Sequence, residues 1–315
     1  MDVIEKKPKV SVCVMTYNQE KYIRQCLQSI VDQKTDFDFE VIVGDDCSTD
    51  DTRTIVKEFA EKYPTVIRTI FQEKNTGGTK NYLDVHAAAN GEYIAHIDGD
   101  DCALPGKLQA QADCLDVNED VSFAVHAVKI MGTDKLIGRD ARYPTKGSLR
   151  DLLRFGTYFA HSSVMYRKKY RFPHSNEDEV IDYCFYIEFA SKGSIFLDRK
   201  VLGYYRVHEH AQTRNLLLRQ MLENRYEAAF DRALELGAAK EDVQSARMNR
   251  RMAFAIARYL SDDVDGYKNK IKINKGEFGW ASKKHLFLHW TRSFPILVGI
   301  YMRIRKLISK LLDTS

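Results

Sequence analysis

Four short apolar runs, each closed by polar residues and followed by a helix-like segment, constrain this chain more than any other feature. Val10–Met15 reads VSVCVM, Glu40–Gly44 reads EVIVG, and Val66–Phe71 and Tyr93–Ile97 complete the set. Continuous β-rich runs of this length suit strands buried on both faces. Between them lie amphipathic helix patterns. Tyr22, Ile23, Cys26, Leu27, Ile30 and Val31 share one face, then Ile55, Val56, Phe59, Ala60 and Tyr63, then a helix over Lys80–Ala89. Strands separated by helices predict a mostly parallel sheet with right-handed crossovers. The acids Asp45 to Asp50 are expected to cap the second helix.

After residue 120 the pattern loosens. Strands are predicted over Val121–Met131, Ser162–Tyr166 and Val201–Val207, and a helix over Ile181–Ser191. From about Arg214 the pattern is helical, over Leu216–Leu236 and Asp242–Leu260, so two parts are expected, 1–212 and 213–315. Hydrophobic residues make up 44% and charged ones 29%, an ordinary globular balance. The six cysteines show no C-x-x-C pair and read as reduced, mostly buried thiols of a cytosolic protein. The first ten residues lack a signal-peptide run, and Phe294–Met302 is too short to span a bilayer. A soluble or peripheral protein on the cytoplasmic side is the expectation.

In open α/β sheets, ligands gather beyond the carboxyl ends of the strands. The polar residues fall there: Thr16-Tyr17-Asn18 after the first strand, Asp45-Asp46 after the second, Asp98-Gly99-Asp100-Asp101 after the fourth. A single Asp-Asp is as readily a helix cap or a solvated turn. Three such clusters at one edge point to a shared crevice. A receiver-type phosphoryl-transfer site would need a nucleophilic Asp after the first strand, where Thr16-Tyr17-Asn18 stand instead.

The segments VSVCVMTYNQEKYIRQCLQSI, FEVIVGDDCSTDDT, GTKNYLDVHAAANGEYIAHIDGDD and Leu104-Pro105 carry a resemblance. In their order and spacing, Val10–Pro105 resembles the nucleotide-sugar half of the family 2 glycosyltransferases. The resemblance implies a GT-A (Rossmann-like) α/β fold: a mixed, mostly parallel sheet flanked by helices, here with a C-terminal helical extension. It further implies an inverting, metal-dependent hexosyl- or N-acetylhexosaminyltransferase. Such an enzyme moves sugar from a nucleotide-sugar, a UDP-sugar by expectation, to a hydroxyl of a glycan or lipid-linked acceptor in surface polysaccharide synthesis. A departing diphosphate needs a hard cation, Mg²⁺ or Mn²⁺, held by only one or two carboxylates.

By the resemblance, Asp100 is the metal ligand, Asp98 faces ribose or a metal-bound water, and Asp101 contacts the donor sugar. Asp46 accepts from the nucleobase imide, while Thr16, Tyr17 and Asn18 line the base and ribose. Lys80 reaches the base or diphosphate, unless it is a solvated helix lysine; relatives often carry Arg there, and Lys lacks the bidentate fork. The expected base is Asp182, in IDYCFYIEFA, although Ile181 replaces the usual preceding Glu and Glu177, Asp178 and Glu179 lie close by. His208, with Arg206 in YYRVH, is either a third metal ligand or diphosphate contact or an ordinary strand-end residue. His161 is a candidate for facing donor sugar or acceptor. A fold that binds nucleotide-sugar as a scaffold, without turnover, is the alternative function.

Residues 281–315 hold seven Lys/Arg against one acid, Asp313, a net of +6. On a helix over 297–312, Leu297, Ile300, Tyr301, Ile304, Leu307, Ile308, Leu311 and Leu312 share a face, with Arg303, Arg305, Lys306 and Lys310 opposite. Such a helix suits an anionic membrane surface, or packs on the catalytic part or on a second copy of the chain. Nucleic acid is not an expected partner, because the basic residues sit in an apolar tail.

Overall fold

The structure is a computed structural model, and it describes residues 7–171, 181–207, 216–294, 296–301 and 303. The chain divides into two compact units, 1–214 and 215–315.

The first unit starts β1 (Val10–Thr16), α1 (Ile23–Val31), β2 (Phe39–Asp45), α2 (Thr52–Lys62), β3 (Ile67–Phe71), α3 (Gly78–Ala87) and β4 (Tyr93–Asp98). It continues with β5 (Cys102–Ala103), α4 (Lys107–Val117), β6 (Val121–Ile130), β7 (Leu136–Ile137), β8 (Lys146–Gly147) and α5 (Leu149–Phe155). A 3₁₀ turn at His161–Ser163, β9 (Met165–Arg167), α6 (Asp182–Lys192) and β10 (Ser194–Tyr205) complete it. The strands form one sheet in the order β3-β2-β1-β4-β9-β6-β10-β5, with β7 on β6 and β8 on β10. β3, β2, β1 and β4 are mutually parallel, as the sequence pattern predicts.

Period-two alternation splits β1 between two cores. Val10, Val12 and Val14 join Ile23, Leu27, Ile30, Val56 and Leu108 in one buried cluster under α1, α2 and α4. On the opposite face α3 packs against β1 and β2. There Gly44 leaves room for the helix, since a Cβ would strike Asn81 and Val85. This face is built from rings: Tyr82 stacks on Phe185 at 4.5 Å and Tyr166 on Phe189 at 4.3 Å.

Several local expectations are corrected. The segment predicted as a strand from Ser162 is a 3₁₀ turn, and β9 begins only at Met165, antiparallel to β4 and β6. The strand predicted from Val201 starts at Ser194 and bulges along β6. Of the acids after β2, Asp50 meets the start of α2, accepting the Thr52 N–H at 3.0 Å, while the N-cap residue Asp51 makes no side-chain cap bond. The short α5 is announced by a capping box, Ser148 with Asp151.

The second unit holds α7 (Leu216–Glu235), α8 (Lys240–Tyr259), α9 (Val264–Ile271) and α10 (Lys283–Trp290). Met252, Ala255, Tyr267, Ile271, Leu288 and Val298 form its core, with Tyr301 packed against them. Buried Glu223 is paired with Arg258 and Lys270. Residues 296–301 and 303 are helical. Val298 turns inward there, while Leu297 and Ile300 of the expected apolar face are exposed. The rest of the expected tail helix, residues 304–312, lies outside the described residues. No described helix is long and apolar enough to cross a membrane.

Candidate active site

Register brings the polar strand ends together. Across β1, Thr16 pairs with Asp45 and Met15 with Asp98. The Gly99 N–H donates to the Met15 carbonyl at 2.8 Å. A Cβ on Gly99 would lie 3.0 Å from the Met15 oxygen and from Thr16 Cβ, and closer still to Gln19 Oε1. Only glycine lets the chain turn so near β1. At that point Thr16 Oγ1 and Gln19 Oε1 are buried with no hydrogen-bond partner.

The β1 and β2 loops are bound to each other. Asn18, at φ 51°, accepts from the Thr49 N–H at 2.8 Å, and its own N–H donates to Ser48 Oγ at 2.9 Å. Buried Asp45 pairs with Arg53 at 2.7 Å. Asp46 is also buried, and its carboxylate accepts from the Thr76 N–H at 2.7 Å, Thr76 Oγ1 at 2.8 Å and the Gly77 N–H at 2.9 Å. It therefore fixes the loop that leads into α3. Tyr17 remains 44% exposed. Lys80 Nζ pairs with Asp84 at 2.9 Å, one turn along α3.

After β4 three carboxylates crowd one bend. Asp101 is buried, accepting from Ser162 Oγ at 2.6 Å and from the Arg206 N–H at 2.7 Å. Burial, and then the neighbouring Asp98 charge, raise its acid well above the usual carboxylate range. Arg206 Nε–H donates to the Asp100 carbonyl at 2.9 Å, and its guanidinium lies 4.5 Å over Tyr22. Ser162 Oγ also accepts the Asp98 N–H at 3.0 Å. The Tyr205 phenol is raised by burial and then by the charges of Asp101, Asp98, Asp100 and Asp182, all four of which act on it.

Behind Asp98 runs a buried line of rings. Tyr166 hydroxyl meets His86 Nδ1 at 2.8 Å, His86 Nε2 meets His96 Nδ1 at 3.2 Å, and His96 Nε2 meets Asp98 Oδ1 at 3.1 Å. Burial holds both histidines well below the usual imidazole range, so both are neutral. With the Asp98 carboxylate as acceptor, His96 carries its proton on Nε2, and the same logic passes back to Tyr166 as the final donor. The His161 ring lies 3.7 Å from that of His96. From there His161 Nε2 stands 3.7 Å from Asp182 Oδ1. Asp182 occupies the first turn of α6, whose N-cap is Ile181 without a side-chain cap bond, and its side chain is 58% exposed. The carboxylate is thus presented rather than spent on the helix end.

The family model described as glycosyl transferase family 2 matches residues 11–172, just over half of the chain. The chain belongs to glycosyl transferase family 2. An uncharacterized protein of Mycobacterium tuberculosis is 34% identical over 207 residues, which are 64% of this chain and 59% of that protein. The chain thus spans under two thirds of that relative's length. Among solved structures, residues 1–349 of Staphylococcus aureus TarS, in complex with UDP-GlcNAc, share the fold at TM-score 0.65 and 21% identity, covering 91% of this chain and 88% of that one. The mannosyltransferase PcManGT of Pyrobaculum calidifontis, in complex with GDP-Man and Mn²⁺, does so at TM-score 0.60 and 16% identity, covering 94% and 87%. Both likenesses identify the sheet and its helices as the GT-A fold.

Within this family 2 frame, Asp98, Asp100, Asp101, His161 and Asp182 converge, and Thr16 adjoins them through register. Asn18 and Asp46 serve the loops that frame the crevice. His208, Glu177, Asp178 and Glu179 lie outside the described residues. Among the described residues no three metal-ligating side chains gather into a ready-made cage. Nevertheless, Asp98, Asp100 and Asp101 share one bend, where burial and then the Asp98 charge raise the Asp101 pKa; such a bend suits a hard divalent cation bound through one or two carboxylates, with phosphate oxygens completing the shell. Sequence reading missed His86, His96, Tyr82, Ser162 and Tyr186. One signal was available: His96 and Asp98 stand two apart on a strand, and Tyr82 and His86 four apart on a helix, so each pair shares a face.

Proposed function

We propose that the chain is an inverting glycosyltransferase that takes a nucleotide-sugar, a UDP-sugar first among them, and uses Mn²⁺ or Mg²⁺. The single observation that carries this reading is the line of contacts from Asp98 to Asp182: His96 Nε2 meets Asp98 at 3.1 Å, the His96 and His161 rings lie 3.7 Å apart, and His161 Nε2 stands 3.7 Å from Asp182. Tyr17 and Thr16 would line the base and ribose, and Asp46 would hold the wall beside the base. Asp98 would face the ribose, Asp101 and His161 the donor sugar, and Lys80 the diphosphate. Asp100, with His208, would hold the cation, which stabilises charge on the departing diphosphate when bound.

In the step itself, the acceptor hydroxyl oxygen bonds to the anomeric carbon as its proton passes to the Asp182 carboxylate. The bond from that carbon to the diphosphate oxygen breaks, and the nucleoside diphosphate leaves with the electron pair. Attack opposite the leaving group inverts the centre. The acceptor is a hydroxyl of a glycan or a lipid-linked saccharide. Exposed Trp290, Phe294, Ile296, Leu297 and Ile300, beside Arg292 and Arg303, support docking at the cytoplasmic face of an anionic membrane, where such acceptors reside.

Thermal stability of the purified protein with UDP-glucose, UDP-N-acetylglucosamine or GDP-mannose, each with and without Mn²⁺, tests the donor reading. A metal-dependent rise of several degrees with one donor, lost in Asp100→Ala, is expected. No rise with any pair removes it. Ile181, in place of the acid expected before Asp182, favours a scaffold without turnover. That reading predicts the same rise with no release of nucleoside diphosphate.

A further inference from the structure

His161 sits where the leaving-group acids and the base come together, and its ring is held on every side. The 3₁₀ turn that carries it is closed by the Ser163 N–H on the Ala160 carbonyl at 3.0 Å and by the Val164 N–H on the His161 carbonyl at 3.1 Å. Its ring lies 3.7 Å from His96 and 5.7 Å from Tyr82, and Tyr186 stands edge-on at 5.8 Å. Its Nδ1 is hydrogen-bonded to the Tyr186 hydroxyl. Tyr186 is itself fully buried, so this anchor does not move with solvent.

The partners decide where a proton sits. Nε2 faces a carboxylate, which only accepts, so Nε2 carries a proton, while Nδ1 is held by the Tyr186 hydroxyl. A donor fixed in space thus points at Asp182 Oδ1 from 3.7 Å. That gap exceeds a direct hydrogen bond, and a small rotation of the exposed Asp182 side chain closes it. Asp182, at the mouth of α6, makes no cap bond that would hold it otherwise.

We propose that His161, anchored by Tyr186, is a positioning residue for the Asp182 carboxylate, a role that rests on the proposed transfer reaction. By engaging Oδ1 it leaves Oδ2 turned toward the acceptor hydroxyl. The acceptor's proton goes to Oδ2, and His161 keeps its own proton throughout. Tyr186–His161–Asp182 therefore repeats beside the acceptor what Tyr166–His86–His96–Asp98 does beside the donor.

Glutamine and asparagine separate this role from a merely structural one, because a glutamine amide nitrogen reaches the place of Nε2 and an asparagine amide only that of Nδ1. The assay is steady-state release of nucleoside diphosphate, with Mn²⁺, from whichever of UDP-N-acetylglucosamine, UDP-glucose and GDP-mannose is turned over fastest, water serving as acceptor. His161→Asn is expected to lower kcat about tenfold to a hundredfold, as misplaced catalytic groups do, with donor KM within about twofold. His161→Gln is expected to recover most of that loss. Tyr186→Phe, expected to lose part of kcat, serves where the Asn variant does not fold. Unchanged kcat in His161→Asn while Asp182→Asn is inactive overturns the positioning role alone. So does a raised donor KM with kcat retained, which would place the ring on the sugar, or a Gln variant as slow as the Asn one. Undiminished release in Asp182→Asn removes the base assignment itself, and the positioning role with it.

Discussion

At the scale of single residues, the site depends on positions where nothing else fits. Gly99 is one, because β1 leaves no space for a Cβ beside the Met15 carbonyl. Gly99→Ala is expected to cost about 1–3 kcal/mol by overpacking and to abolish the donor-dependent thermal shift. Comparing melting curves with and without donor and Mn²⁺ checks both. Burial sets a second expectation. His126 is buried, and burial, followed by the Lys107 charge, lowers its imidazole to about 3. Its folded value is below the unfolded one, so the native state binds fewer protons between these values. The stability it contributes is complete above pH 6.5 and is lost as pH falls toward 3. His126→Gln should flatten the acid side of the curve by up to about 1.4 kcal/mol per pH unit. Urea unfolding from pH 7 to pH 4 measures that slope; an unchanged slope rejects the expectation. The acids at the strand ends were legible from sequence because carboxylates after apolar runs stand out. The histidines behind them were harder to see, since a buried neutral ring leaves no mark in charge and only its spacing from Asp98 or Tyr82 places it on a shared face.

At the scale of elements, α6 shows what a helix start does for chemistry. Its N-cap, Ile181, has no side-chain cap bond, and Asp182 stands in the first turn. Asp182→Asn should therefore change stability by less than about 1 kcal/mol, well below a lost cap and packing together. Transfer should nonetheless fall about a hundredfold or more, the usual share of a general base. A melting curve beside a rate measurement distinguishes this from a capping role, in which stability would fall and rate would follow. The parallel half of the sheet was readable because each strand is one continuous apolar run. β9 was not, for a topological reason. It runs against its neighbours, so the turn that enters it, rather than the one that leaves it, reaches the edge where the acids lie. A strand reading of Ser162–Tyr166 hides that turn. Asp46 is a related case: its position after β2 was plain, but its bonds to Thr76 and Gly77 come from a loop thirty residues on.

At the scale of the molecule, the helical unit has a core of its own around Tyr267 and Leu288, and beyond it a run of exposed large side chains. Trp290 is 67% and Ile296 78% exposed. The full chain should co-sediment with vesicles containing phosphatidylglycerol, less so as salt rises, and a chain ending at residue 290 should not. Equal sedimentation of the two would end the membrane proposal. Trp290, one of only two tryptophans, reports the same event by a blue shift of its emission. Of the apolar stripe expected here, Leu297 and Ile300 are exposed and Tyr301 packs on the core, because periodicity names a face without saying which neighbour takes it. One feature of the catalytic unit bears on altering its specificity. In the proposed reaction, adjacent residues of a single turn would serve both sides: Ser162 grips Asp98 and Asp101, and His161 faces Asp182. A library that varies this turn will confound the two substrates, whereas donor preference and acceptor preference can be evolved separately only by keeping it constant.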